Sequence, residues 1–92
     1  MTTYFLIGKY TPEALRKASA QRTQKAYQII QRLGGKVKSV HALLGADDLL
    51  IQVELPGTQA AMKASLSLTR LTGIGFSTSE AVSVNEFDKL VD

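Results

Sequence analysis

The stretch Lys36-Val37-Lys38-Ser39-Val40-His41-Ala42-Leu43-Leu44-Gly45-Ala46-Asp47-Asp48-Leu49-Leu50-Ile51-Gln52-Val53-Glu54-Leu55 decides the fold. Lys36 to Leu44 is rich in β-forming residues, and Gly45-Ala46-Asp47-Asp48 reads as a turn. Leu49 to Leu55 then alternates Leu49, Ile51, Val53 and Leu55 against Leu50, Gln52 and Glu54, the period of a strand with one apolar face. The whole stretch is therefore a β-hairpin.

A helix flanks the hairpin on each side. Upstream, Gly34-Gly35 stops a segment in which Leu15, Ala18, Ala26, Ile29, Ile30 and Leu33 recur at helical spacing. Thr11 can cap that segment and Pro12 suits its first position. Ser19 offers an internal cap, so one long helix and a short turn followed by a main helix from about Ala20 both fit. Thr3 to Tyr10 precedes it as a strand. Downstream, Pro56-Gly57 breaks the hairpin and Thr58 can cap a helix with Ala61, Ala64, Ser65, Leu68 and Leu71 inward, ended by Gly73. Ile74 to Ala81 reads as a fourth strand with Ile74, Phe76 and Thr78 on one side. Ser83-Val84-Asn85-Glu86 fits a capping box, with Val82 and Phe87 placed as a hydrophobic staple for a short terminal helix carrying Leu90 and Val91. The order β-α-β-β-α-β plus a helix predicts an α+β, ferredoxin-like plaited sandwich: an antiparallel four-stranded sheet with both long helices on one face. No linker or low-complexity segment interrupts it, so residues 1–92 are expected to form a single domain.

Composition narrows the function classes. A chain of 92 residues buries roughly 64% of its unfolded surface, enough for one small core. The absence of Cys removes disulfides, thiolate metal sites and cysteine nucleophiles, and a single His weakens most remaining metal and triad schemes. No zinc or EF-hand spacing, dinucleotide fingerprint or phosphate loop is present, so neither metal nor cofactor is expected. No apolar run approaches a membrane span, and the start MTTYFLIGKYTPE lacks a signal-peptide pattern, which makes a cytoplasmic location the expectation. Residues 1–40 carry eight Lys or Arg against Glu13 alone, whereas 41–92 carry three against seven acids. Arg16, Lys17, Lys25 and Arg32 are expected to scatter around their helix rather than track a groove. The recognition signature of a nucleic-acid-binding sheet is also missing from Thr72-Gly73-Ile74-Gly75-Phe76-Ser77, so no specific nucleic-acid partner is expected.

Leu33-Gly34-Gly35-Lys36-Val37 followed by Leu44-Gly45-Ala46-Asp47-Asp48-Leu49 resembles the GYD-domain family, small proteins named after a Gly-Tyr-Asp signature. The likeness extends over Tyr10-Thr11-Pro12, Arg22, the Ala-rich second helix and the strand Gly73-Ile74-Gly75-Phe76-Ser77-Thr78. Gly45 and Asp48 match the signature, while Asp47 stands where it has Tyr. The resemblance implies the dimeric α/β-barrel type of assembly, in which two ferredoxin-like sheets pack face to face. It implies no particular chemistry.

Four residues are candidates for a binding site. Arg22 projects within the arc of apolar positions that should meet the sheet; its planar fork suits an anionic ligand, and its structural alternative is an ion pair with Asp47 or, preferably, Asp48. His41, alternating with Val37, Ser39 and Leu43, is the only side chain that titrates near neutrality and is the candidate general base. Asp48 and Gln52 lie on the less apolar side of the hairpin's second strand and can join His41 around a semi-polar cleft between subunits. Tyr4, Leu6, Leu50 and Leu43 are expected to form the apolar patch that a second copy covers. The leading expectation is a homo-oligomer that binds a small polar or anionic ligand at the sheet face through Arg22, His41, Asp48 and Gln52. The alternative is a cofactor-independent oxygenase or isomerase that uses His41 as general base.

Overall fold

Alternation along the strands builds one sheet in the computed structural model, which describes all 92 residues. The chain runs β1 (Thr2–Lys9), α1 (Pro12–Arg16), α2 (Ala20–Arg32), β2 (Lys36–Ala42), β3 (Leu49–Leu55), α3 (Thr58–Thr72), β4 (Gly75–Ala81) and α4 (Val84–Val91). The strands lie in the order β2-β3-β1-β4 and every pair is antiparallel, the ferredoxin-like arrangement. Tyr4 and Leu6 of β1 and Ile51, Val53 and Leu55 of β3 turn to the helix side. There they close one core with Ile30 of α2 and Ala61, Ala64 and Leu68 of α3. The two alanines let α3 approach the sheet closely, as its stripe of small residues predicts.

Between the two readings of the first helical segment, the structure takes the break. Thr11 Oγ1 accepts from the Ala14 amide at 3.0 Å to start α1, and Ser19 Oγ accepts from the Arg22 amide at 3.1 Å to start α2. Ser19 itself is extended, with φ −160° and ψ 158°, so the helix cannot run through it. Leu15 and Ala18 consequently fall outside the buried arc, and Leu15 is exposed. At the next helix the cap is Gly57, which contributes no side-chain bond, and Thr58 is already the first helical residue. Gly73 ends α3 in the left-handed region at φ 73°, as a helix stop of this kind requires.

The hairpin connection is longer than the sequence predicts. β2 ends at Ala42, and the Leu43 amide donates to the Asp48 carbonyl at 2.8 Å, so residues 43–48 form the loop and Leu44 stands in solvent. β2 also carries a bulge: Val37 lies opposite Val53 and Ser39 opposite Gln52, leaving Lys38 without a partner. The extra residue shifts the alternation by one. Val37 and Val40 therefore turn to the helices, while Ser39 and His41 turn to the other face. The expected sharing of a face by His41 and Val37 is lost.

Candidate functional site

The face of the sheet away from the helices is uncovered. Phe5 and Ile7 of β1 lie opposite Gln52 and Leu50 of β3, and Ser39 and His41 of β2 lie opposite the same two residues on the other side. Phe5, Ile7 and Leu50 are half-buried and form its apolar middle. Tyr4 and Leu6, expected in this patch, lie under the helices instead, because the alternation of β1 turns the even-numbered residues inward and Phe5 and Ile7 outward. On the polar flank Ser39 Oγ and Gln52 Oε1 are 3.4 Å apart, and Lys36 Nζ stands 3.8 Å from Glu54 Oε1. His41 is exposed on the edge strand, with no carboxylate within ion-pair distance. A general base normally needs such a partner to set its tautomer and orientation.

Arg22 lies on the opposite side of the sheet. Ser19 caps α2 through the Arg22 amide, and the Arg22 side chain reaches back so that Nη1 donates to the Ala14 carbonyl at 2.8 Å. That carbonyl belongs to the last turn of a five-residue helix and also accepts from the Lys17 amide at 3.2 Å, so Arg22 takes its second lone pair. The expected ion pair with Asp48 does not form. Asp48 Oδ2 accepts from the Tyr10 amide at 2.8 Å. The Asp48 amide donates to the Gly8 carbonyl at 2.9 Å. The break at Ser19 is the physical reason: it brings a backbone acceptor close to Arg22, while Asp48 is taken up by the chain leaving β1. Of the four candidates, His41 and Gln52 share the open face, Arg22 lies beyond the helix side, and Asp48 holds the loop between β2 and β3 against the end of β1.

Two further features surround Arg22. The first is a cavity of about 60 Å³ between the helix layer and the sheet, walled mostly by apolar residues including Ile30, Val40, Ile51, Leu68 and Phe76. Its partly exposed lining consists of Arg22, Thr23, Tyr10 and Tyr27 among others. Gly8 makes room beneath it. A Cβ there would stand 2.8 Å from both Ile74 Cγ2 and Phe76 Cε1, so the Phe76 ring can cross β1 only because that position has no side chain. The second feature is a groove lined by Arg16, Lys17, Arg22, Lys25 and Arg70, with Glu13 the one acid. Glu13 is already 3.5 Å from Lys17. The expected scatter of the helix cations is thus corrected: the turn at Ser19 and the end of α3 gather them, and only Arg32 stands apart, beside Lys63.

Residues 4–91 match the family model described as the GYD domain. The chain belongs to the GYD-domain family. No curated protein matches it. Among solved structures, the Mycobacterium tuberculosis leucine response regulatory protein is similar to this GYD chain at a TM-score of 0.60 and 11% identity. The match covers 89% of the GYD chain and 51% of the other, so the chain spans about half the length of that relative. At this identity the likeness is one of fold alone. Within the GYD chain, the loop that carries the resemblance has an exposed Asp47 and an Asp48 whose carboxylate anchors Tyr10. The cavity was not anticipated from the sequence. The available signal was the run Arg22, Ala26, Ile30 at i, i+4 and i+8, which sets a charged residue and a small one on the arc that faces the sheet. No helix is long and apolar enough to cross a membrane.

Proposed function

We propose that this GYD chain is a homo-oligomeric small-ligand-binding domain whose copies meet through the open face of the sheet. The observation that carries the reading is the row Phe5, Ile7 and Leu50, apolar and only half-buried at the centre of a sheet whose other face takes α2 and α3. Antiparallel sheets tolerate a wet face when it is polar, whereas an apolar centre with a polar flank is the pattern of an interface. Two such faces brought together place His41 and Gln52 at the edge of the apolar centre, where a polar or anionic ligand finds donors. Arg22 supplies a cation on the helix side, and Asp48 sets the loop that frames the end of β1.

Light scattering on the whole chain tests the assembly. A mass of about twice the 10.0 kDa chain or more at micromolar concentration is expected, and a monomer there overturns it. Replacement of His41 by Ala is expected to leave the assembly intact and to weaken binding of a polar ligand seated at that edge.

A further inference from the structure

We infer that the cavity beneath Arg22 is a ligand pocket, and that it takes a small monocarboxylate with a compact apolar tail. The inference goes beyond the proposed function: it names a second site, on the helix side of the sheet and apart from the open face that carries His41 and Gln52.

Protein interiors are packed with few voids larger than a water molecule, so a mostly apolar pocket of about 60 Å³ that opens beside Arg22 sets this end of the core apart from the rest. The polar side chains of the lining, Arg22, Thr23, Tyr10, Tyr27 and Thr72, can hold water at one end, whereas Ile30, Val40, Ile51, Leu68 and Phe76 offer it no side-chain partner at the other. A tail of a few carbon atoms fills such a space without losing a hydrogen bond. Small residues keep it open: Ala26 lies on its wall, and a side chain at Gly8 would collide with Phe76 and Ile74.

The polar end of the ligand follows from what surrounds the opening. Arg22 is half-buried, has no carboxylate within ion-pair distance, and uses one donor on the Ala14 carbonyl. A guanidinium has five donors in a planar fork that matches the two oxygens of a carboxylate. The Tyr10 and Tyr27 side chains line the same cavity, and neither phenol is committed to another group of the protein. Arg22 is also part of the wall of the cationic groove, so Arg16, Lys17, Lys25 and Arg70 add a field that favours an anion. The same field opposes a second positive charge. Glu13 is the one carboxylate of the groove, it is exposed 3.5 Å from Lys17, and five cations outnumber it. A simple carboxylic acid is therefore preferred over the amino acid that carries the same side chain.

Titration of the whole chain with 3-methylbutanoate, followed by calorimetry and by methyl NMR, tests this. Saturable binding in the millimolar range or tighter is expected, with shifts at the Ile30, Val40 and Ile51 methyls. Weaker binding is expected in high salt and for the neutral 3-methylbutanamide, and leucine should fail to compete. Arg22→Gln should weaken the complex about ten-fold or more while circular dichroism shows the parent fold; Gln is too short to take over the bond from Nη1 to the Ala14 carbonyl, so a lower unfolding midpoint is expected as well. Ala26→Leu should abolish binding by filling the space; should it not fold, the Arg22→Gln and amide comparisons decide. Shifts confined to Ile7 and Leu50 would overturn the pocket while leaving a ligand site at the open face. Equal binding of leucine, displacement by inorganic phosphate alone, or no saturation at millimolar concentration would also overturn it. Failure of the assembly is read separately, as a monomeric mass with the cavity shifts intact.

Discussion

Along β3, Ile51, Val53 and Leu55 turn to the helices and are 6%, 0% and 0% exposed, whereas Leu50, Gln52 and Glu54 turn the other way and remain half-buried. β1 repeats the division, with Tyr4 and Leu6 inward and Phe5 and Ile7 outward. One set of strands thus serves two surfaces with different work. The helix side holds the fold together, since burial there is nearly complete and each lost carbon leaves a void. The open side keeps its apolar residues in a shallow row with polar neighbours, a surface suited to association. Even the helix side is not uniform. It is tight around Val53, Leu55, Ala61 and Ala64, and loosens into the cavity toward Arg22.

The comparison breaks most visibly at adjacent residues of β1. Leu6→Ala is expected to cost about 2 to 5 kcal/mol in denaturant unfolding, and Ile7→Ala, measured at concentrations where chains are dispersed, much less. Equal losses would mean that the two faces contribute alike. Ile7→Glu sharpens the contrast from the other side. It should lower the particle mass seen by light scattering while circular dichroism shows the same helix and strand content. An unchanged mass would remove the open face from the assembly.

Smaller effects test the frame between the faces. Asp48→Ala removes the acceptor of the Tyr10 amide, which lies 2.8 Å from it, and is expected to cost about 1 to 3 kcal/mol. Asp48→Asn should cost less, because an amide oxygen can still accept. A harmless Asp48→Ala would show that the loop does not depend on this bond. The smallest effect belongs to the open face: Lys36 and Glu54 pair at 3.8 Å with Lys36 largely exposed, so Lys36→Ala should change stability by less than about 1 kcal/mol. Added salt should shrink even that difference, and a larger loss would show that the pair is shielded by a neighbouring copy.

Much of the site was beyond reach of the chain's pattern alone. Arg22 was identifiable as a cation on an apolar arc, because helical geometry fixes which residues share a face. Its partner was not, since the Ala14 carbonyl becomes available only when the chain breaks at Ser19 and folds α1 against α2. His41 was identifiable as the one histidine of the chain, but its face depended on the unpaired Lys38 in β2. A bulge leaves no mark in a mixed strand such as Lys36–Ala42, where neither alternation dominates. The cavity was less legible still, because an empty space is a property of side chains from both sheet and helices.

By itself the sequence determined the elements whose signals are local and agree with one another. Strict alternation in Leu49–Leu55, Pro12 at a helix start, the caps at Thr11, Ser19 and Ser83, and the stop at Gly73 each act within a few residues. Their order was enough to specify a ferredoxin-like sheet. Tertiary structure alone decided the register of β2, the acceptor taken by Arg22, the gathering of five cations around one groove, and the cavity under Phe76. Each depends on residues distant in the chain that meet only when helix and sheet are docked. Their energies belong to that meeting rather than to any one segment.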